Sequence, residues 1–274
     1  METGVYEGIS NADYHSGPGI SKSHLDKISQ SPGYYQWSLN APSDPDKTAA
    51  LDFGTALHTL TLEPEHFMEQ FTVAPVFNRR TAAGKQEEQA FLGACRAAGR
   101  MIVTEEEQAK LHMLRESIMA HPDGRIIVES SGRVESSAYW IDPDTGLQCR
   151  ARADKEVEPL SVIADLKSCA DIEKFSKSIY DRRYHVQDSY YSDGYTVALG
   201  REVEDFWFLA VSTSISAGKY PVKVFKLKER AKQLGRELYK RDLETFRECQ
   251  ESGVWGGIES TDLPFYAYRD NDNQ

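Results

Sequence analysis

Asp165 and Lys167 stand two residues apart in the run Ser161 to Lys167 (SVIADLK). In an extended strand alternate side chains share a face, so this spacing projects a carboxylate and an ammonium group together. The upstream run Leu147 to Asp154 (LQCRARAD) alternates in the same way. Leu147, Cys149, Ala151 and Ala153 fall on one face; Gln148, Arg150, Arg152 and Asp154 fall on the other. The link Glu158 to Leu160 is short enough for antiparallel pairing, which would set Asp154 beside Asp165. Two close carboxylates repel each other unless a cation lies between them. Oxygen ligands of this kind select Mg²⁺ or Mn²⁺, which keep several waters and accept phosphate oxygens. A lysine beside such an ion can orient an attacking water or stabilise developing charge. The chemistry implied is metal-assisted hydrolysis of a phosphodiester. A bare D…DxK match is weak on its own, because exposed Asp and Lys are common.

Two further groups sharpen the reading. In Phe53 to His58 (FGTALH), His58 follows Gly54 by four residues on an expected helix. Alone, such a histidine is more often structural than a ligand. In Gln187 to Tyr191 (QDSYY), Gln187 and Tyr191 share a helix face at i and i+4, with Tyr184 and Tyr195 nearby. An aromatic face packed on a sheet explains the tyrosines but is less natural for Gln187. Glu135, on the first expected strand, is a weaker candidate, since a strand glutamate is usually just solvated.

In order the chain reads G-x-x-x-H, D, D-x-K, Q-x-x-x-Y. This series resembles the RecB-like branch of the PD-(D/E)xK nucleases, and within it the C-terminal nuclease domains of the exonuclease VIII (RecE) type. The resemblance extends over essentially the whole chain, including ISKSHLDKISQSPGYYQW, FGTALHTL, RARADKE and IADLKS. It implies that His58, Asp154 and Asp165 are metal ligands, with the Leu166 carbonyl as another. It implies that Lys167 acts on the nucleophilic water, and that Gln187 and Tyr191 support the site or touch the DNA backbone. It also implies 5′→3′ digestion of linear double-stranded DNA, leaving 3′ single-stranded tails for homologous recombination. A Mg²⁺ cofactor, a ring-shaped homotetramer and a single-strand annealing partner belong to the same implication. An imidazole among the ligands predicts that Mn²⁺ also supports activity. Arg150, Arg152 and the pair Arg79 and Arg80 are candidates for DNA phosphates. A PD-(D/E)xK endonuclease or resolvase, or a non-catalytic DNA-binding protein of this fold, are the alternatives.

The elements that must position these groups follow from periodicity and punctuation. Ser21 can cap a helix carrying Leu25 and Ile28, and Ser31 with Pro32 starts another. Asn40 to Lys47 (NAPSDPDK) reads as a polar loop, Leu51 to Leu62 as an apolar helix, and residues 74–90 as a mobile loop. Thr104 and Glu107 form a capping box for a helix with Leu111, Leu114 and Ile118 on one face, ending before Pro122. Strands are expected at Arg133 to Ile141, Leu147 to Val157, Ser161 to Lys167, Phe206 to Val211 and Tyr220 to Leu227. Helices are expected over Asp171 to Leu199 and Lys228 to Gln250. The fold expected is α/β: a restriction-endonuclease-like core with a central mixed sheet flanked by helices. It is read as one domain over 1–274, with a mainly helical part (1–122) carrying His58 and a sheet core with a final helix (123–274).

Length and composition suit this. The 274 residues can bury a full core, and the 40% hydrophobic and 27% charged content is globular. No secretory signal or membrane span is apparent, which points to a soluble cytoplasmic protein. Cys95, Cys149, Cys169 and Cys249 lack any paired spacing and read as reduced thiols. The net charge of −11 alone argues against nucleic acid. Yet Lys223 to Arg247 carries nine basic against four acidic residues. Such a run is more often a solvated helix face, but it could line a DNA channel.

Overall fold

In the computed structural model the described residues are 1–42, 53–258, 260–264 and 267. Residues 43–47 of the expected polar loop, and Leu51 at the start of the expected apolar helix, lie outside them.

The three alternating runs of the middle sequence form adjacent strands: β4 (Val134–Ile141), β5 (Gln148–Val157) and β6 (Val162–Cys169). They sit in a six-stranded sheet with β1 (Gly4–Tyr6), β7 (Asp205–Ser212) and β8 (Val222–Lys226), in the order β1-β4-β5-β6-β7-β8. Only β6 and β7 run parallel; the other neighbours are antiparallel. A small parallel pair, β2 (Phe71–Val73) and β3 (Met101–Val103), lies apart. The sheet is thus mixed and mostly antiparallel, as the alternating apolar and polar patterns require.

Helices cover both faces. The first four are α1 (Asn11–Ser16), α2 (Lys22–Ile28), α3 (Pro32–Asn40) and α4 (Phe53–Leu62). Next come α5 (Pro64–Gln70), α6 (Ala82–Ala97), α7 (Glu105–Ala120) and α8 (Pro122–Glu129). The C-terminal half adds α9 (Phe175–Asp181), α10 (Tyr184–Leu199) and α11 (Glu229–Ser252). Alternation along β7 sorts two cores. Phe206, Phe208 and Ala210 face the helices α2, α3, α10 and α11, where Leu25, Tyr35, Val186, Tyr190, Leu243 and Phe246 are buried. Leu209 and Val211 face α4, α5, α7 and α8, with Leu57, Leu60, Phe67, Leu111, Leu114 and Ile127. Removing this apolar surface from water on both faces is what ties the sheet to its helices.

Two expectations need correction, and a third, that a helix ends before Pro122, holds with an addition. Part of the stretch read as a mobile loop is the helix α6, started by the Thr81 side chain accepting from the Gly84 N–H; the run AAGKQEEQA after that cap is rich in helix formers. Pro122 does not merely end a helix. It occupies the first turn of α8, where its missing N–H leaves nothing unpaired, and His121 caps that helix. The long helix expected over Asp171 to Leu199 is broken at Arg183, whose left-handed backbone (φ 53°) separates α9 from α10.

Candidate active site

β5 and β6 pair through Lys155 opposite Ala164, Glu156 opposite Ile163 and Val157 opposite Val162. One further step of that register would set Asp154 opposite Asp165, but the ladder stops before it. The strands part there, and the Leu166 N–H donates to Asp154 Oδ2 (2.7 Å) instead of to a strand carbonyl. Both carboxylates are buried, with relative exposures of 9% and 2%.

Elements on the two faces of the sheet converge on this fork. From α4, His58 Nε2 lies 2.6 Å from the Leu166 carbonyl oxygen, and its Nδ1 lies 3.4 Å from Asp154 Oδ2. The buried run Ala56, Leu57, Leu60 seats that helix and fixes the ring's position. From α10, the Gln187 side-chain amide donates to Asp165 Oδ1 (2.5 Å). Lys167 Nζ is 2.5 Å from Asp165 Oδ2, as expected for two strand residues sharing a face. Tyr191 lines the same cleft and meets Phe206 edge to face. The cleft has a volume of about 870 Å³; its walls include Tyr14, His58, Glu135, Arg152, Asp154, Leu166, Lys167, Tyr184 and Tyr191.

Glu135, the weakest sequence candidate, is brought in. His58, Glu135 and Asp154 each offer a ligand atom within 4.8 Å of the others. Its neighbours Val134 and Ser136 pair with Lys155 and Ala153, so Glu135 stands across from Asp154. Its backbone is left-handed (φ 48°), a conformation a glutamate adopts only under constraint. No spacing rule in the sequence announces that.

The electrostatics are those of a concentrated negative pocket. Burial, then the charge of Asp165, pushes the Asp154 carboxyl well above the usual carboxylate range. Burial alone would lower His58, but Asp154, Glu135 and Asp165 outweigh it and raise the imidazole to about 9. Burial likewise works against the Lys167 ammonium, and the charges of Asp165 and Asp154 more than restore it. Asp165 Oδ2 is buried and is met by the Lys167 ammonium. Repelling buried carboxylates, with the clustered ligand atoms of His58, Glu135 and Asp154, fit a divalent cation. Asp154, Asp165, Glu135, His58 and the Leu166 carbonyl are the groups that would hold it.

The arginines divide. Arg150 is 2% exposed and gives its guanidinium to the carbonyls of His15 (3.0 Å), Gly17 and Pro18 (3.3 Å). It anchors the chain after α1 and is closed to phosphate, which corrects the expectation from alternation alone. Arg152 is held by Ser137 Oγ and the Ile9 carbonyl, both at 2.9 Å, lies 4.2 Å over the Tyr14 ring, and lines the cleft. Arg79 forks onto Glu88, and neither it nor Arg80 lines the cleft. The basic C-terminal run does not line it either. Seven of its nine basic residues are ion-paired, to Glu173, Asp205, Asp193, Asp144, Asp242, Glu244 or Glu251. These pairings fit the solvated-face reading.

Comparison with known proteins agrees with the fold. Residues 21–260 match the profile of the family described as a PDDEXK-like domain of unknown function (DUF3799). The chain belongs to this family. No curated protein matches it by sequence. Among solved structures, a candidate exonuclease from Eubacterium rectale superposes with a TM-score of 0.59 at 13% identity, over 96% of this chain and 98% of that one. At that identity the likeness is one of fold. The alkaline exonuclease of Laribacter hongkongensis matches at 15% identity over 64% of this chain and 87% of its own, and its TM-score of 0.32 adds nothing further. The chain therefore carries a PDDEXK-like domain, and its likeness to the Eubacterium rectale structure is one of fold. No helix among the described residues is long and apolar enough to cross a membrane.

Proposed function

We propose that this protein is a divalent-metal-dependent exodeoxyribonuclease that digests linear double-stranded DNA 5′→3′ and leaves 3′ tails for homologous recombination. The observation that carries the reading is the fork between β5 and β6, where Asp154, Lys167, His58 and Glu135 line one cleft and Asp165 lies buried against Lys167. Fold similarity to a candidate exonuclease is in keeping with attack from a chain end. Mg²⁺ is the proposed physiological ion, with Mn²⁺ as an active substitute.

When bound, such an ion would supply Lewis-acid stabilisation of phosphoryl charge and lower the pKa of a coordinated water. The protein does the rest. Asp154 is oriented by the Leu166 N–H and His58, and Asp165 by Gln187. The Lys167 ammonium stands at the mouth of the acidic pair, where it can hold a water in line or neutralise the departing oxygen's charge. Arg152, clamped on two sides, presents the rest of its guanidinium toward a backbone phosphate. In this proposal the whole chain forms one catalytic domain acting in the cytoplasm, with a ring tetramer as the assembly and an annealing protein as the partner.

The test is digestion of end-labelled linear duplex beside covalently closed circles, with Mg²⁺ or Mn²⁺. Nucleotide release from the 5′-labelled end and intact circles are expected. Asp165→Ala and Lys167→Ala should each lower the rate by about 10³-fold or more, as loss of a central charge-stabilising group does. Rapid loss of the closed circles would replace the exonuclease by an endonuclease.

A further inference from the structure

Lys167 is held from more than one side. Its Nζ contacts Asp165, and it also lies 4.9 Å from the centroid of the Tyr184 ring, within the range of a cation–π contact. Tyr184 opens α10 immediately after the left-handed Arg183. It shares a helix face with Gln187 and Tyr191, at i, i+3 and i+7. The ring is not free to move: it stacks on Phe208 (5.7 Å, 26°) and leans on Phe175 (6.1 Å), which itself stacks on Phe225 (5.0 Å, 24°). A fixed aromatic face thus lies beneath the ammonium. Among the described residues the Tyr184 hydroxyl makes no hydrogen bond, so the ring and not the phenol is what Lys167 meets.

A second lysine borders the same ring. Lys22 Nζ is 5.9 Å from the Tyr184 centroid, but it is already committed to Asp26 (2.6 Å) and the Arg182 carbonyl (2.9 Å). The nearer cation on the cleft side is Lys167, and both Tyr184 and Lys167 line the cleft.

We infer that Tyr184 is a positioning residue for Lys167: its π face holds the ammonium at the entrance to the acidic pair. This rests on the nuclease reading for its catalytic consequence, and on the geometry alone for the placement. Without the ring, Lys167 keeps its ion pair with Asp165 but loses the contact that fixes its direction. The consequence is a fall in kcat without a change in duplex binding, since Tyr184 itself need not touch DNA.

The experiment uses Tyr184→Phe and Tyr184→Leu in the full chain, with two readouts. In the first, steady-state digestion of linear duplex, Tyr184→Phe keeps kcat within about twofold, and Tyr184→Leu lowers kcat about tenfold with KM unchanged. In the second, ¹³C-lysine-labelled protein without metal or DNA is examined by NMR, with the Lys167 signals assigned by their loss in Lys167→Arg. The Lys167 ε-methylene protons should be shifted upfield by the ring in wild type and Tyr184→Phe, and should return to ordinary values in Tyr184→Leu. If Tyr184→Leu does not fold, Tyr184→Met keeps bulk without a π face and carries the same expectations. The inference is overturned by wild-type kcat in Tyr184→Leu, by a loss confined to KM, by equal damage in Tyr184→Phe, or by an unshifted Lys167 resonance in wild type. A wild-type protein that released no nucleotide would sink the nuclease reading instead, and the resonance would still decide the placement.

Discussion

Replacing Asp188 by Asn should make the protein more stable, and more so the higher the pH. Asp188 lies on α10 at its tight contact with α11, fully buried, and neither carboxylate oxygen has a hydrogen-bond partner. Burial raises its pKa from the ordinary 3.8 to about 7. Lys232 and Arg236 on α11 oppose this, but Lys232 is paired with Asp205 and Arg236 with Asp193, and those two acids push back. Between pH 4 and 7 the native carboxyl holds its proton while the unfolded one has lost it. Native stability contributed by this group therefore falls as pH rises through that window and is level above it. At 1.36 kcal/mol per unit, the ceiling of the penalty is about 4 kcal/mol at pH 8 and about 1.5 kcal/mol at pH 5. Asn carries no charge to desolvate, so the gain of Asp188→Asn over wild type should grow between those values. Urea unfolding of both proteins at pH 5, 6, 7 and 8 measures it. A gain that is flat with pH, or a loss at pH 8, would show that Asp188 is ionised and satisfied in the fold.

Glu135→Gln should weaken Mn²⁺ binding about tenfold or more by calorimetry, whereas Glu63→Gln, elsewhere on the cleft wall, should not; equal effects would remove Glu135 from the ligand set. Arg150→Ala should destabilise the fold by about 3 kcal/mol, because buried carbonyls lose their donor, and leave the salt dependence of DNA binding unchanged. Arg152→Ala should instead lower that salt slope by about one, read by titrating DNA at several ionic strengths. A Cβ at Gly235 would fall 1.9 Å from the His185 carbonyl oxygen, so Gly235→Ala should lower stability by about 2 kcal/mol or more by thermal melting.

What could be read from sequence was whatever depends on local period. The pairing of Asp165 with Lys167, and the face shared by Gln187 and Tyr191, follow from strand and helix repeats; Lys167 and Tyr191 line the cleft, and the buried Asp165 and Gln187 are joined by a hydrogen bond. Five strands, β4 to β8, were legible to within a residue or two, because alternation survives where one face is apolar; the three-residue strands β1, β2 and β3 are too short to show a period and were not. What escaped was set by tertiary context. Alternation grouped Arg150 with Arg152, yet the segment after α1 folds over Arg150 and takes its guanidinium. Glu135 depends on a left-handed backbone at one position, which no composition signals. The charge run on α11 looked like a phosphate track because its counter-ions, such as Asp144 and Asp193, are remote in sequence.

The short turn Glu158–Leu160 also sets the alignment of the site. β6 is locked to β7 over eight rungs, from Val162 to Cys169, so it cannot slide to absorb a change. Adding or removing one residue in the turn would be taken up by β5, whose side chains would all swap sides. Asp154 would then turn toward the apolar packing while Asp165 and Lys167 stayed in place, dismantling the acid pair with every reactive residue still in the chain. Length variation among relatives should therefore collect at the Asp142 to Gly146 bend, at the opposite end of β5, and spare this one.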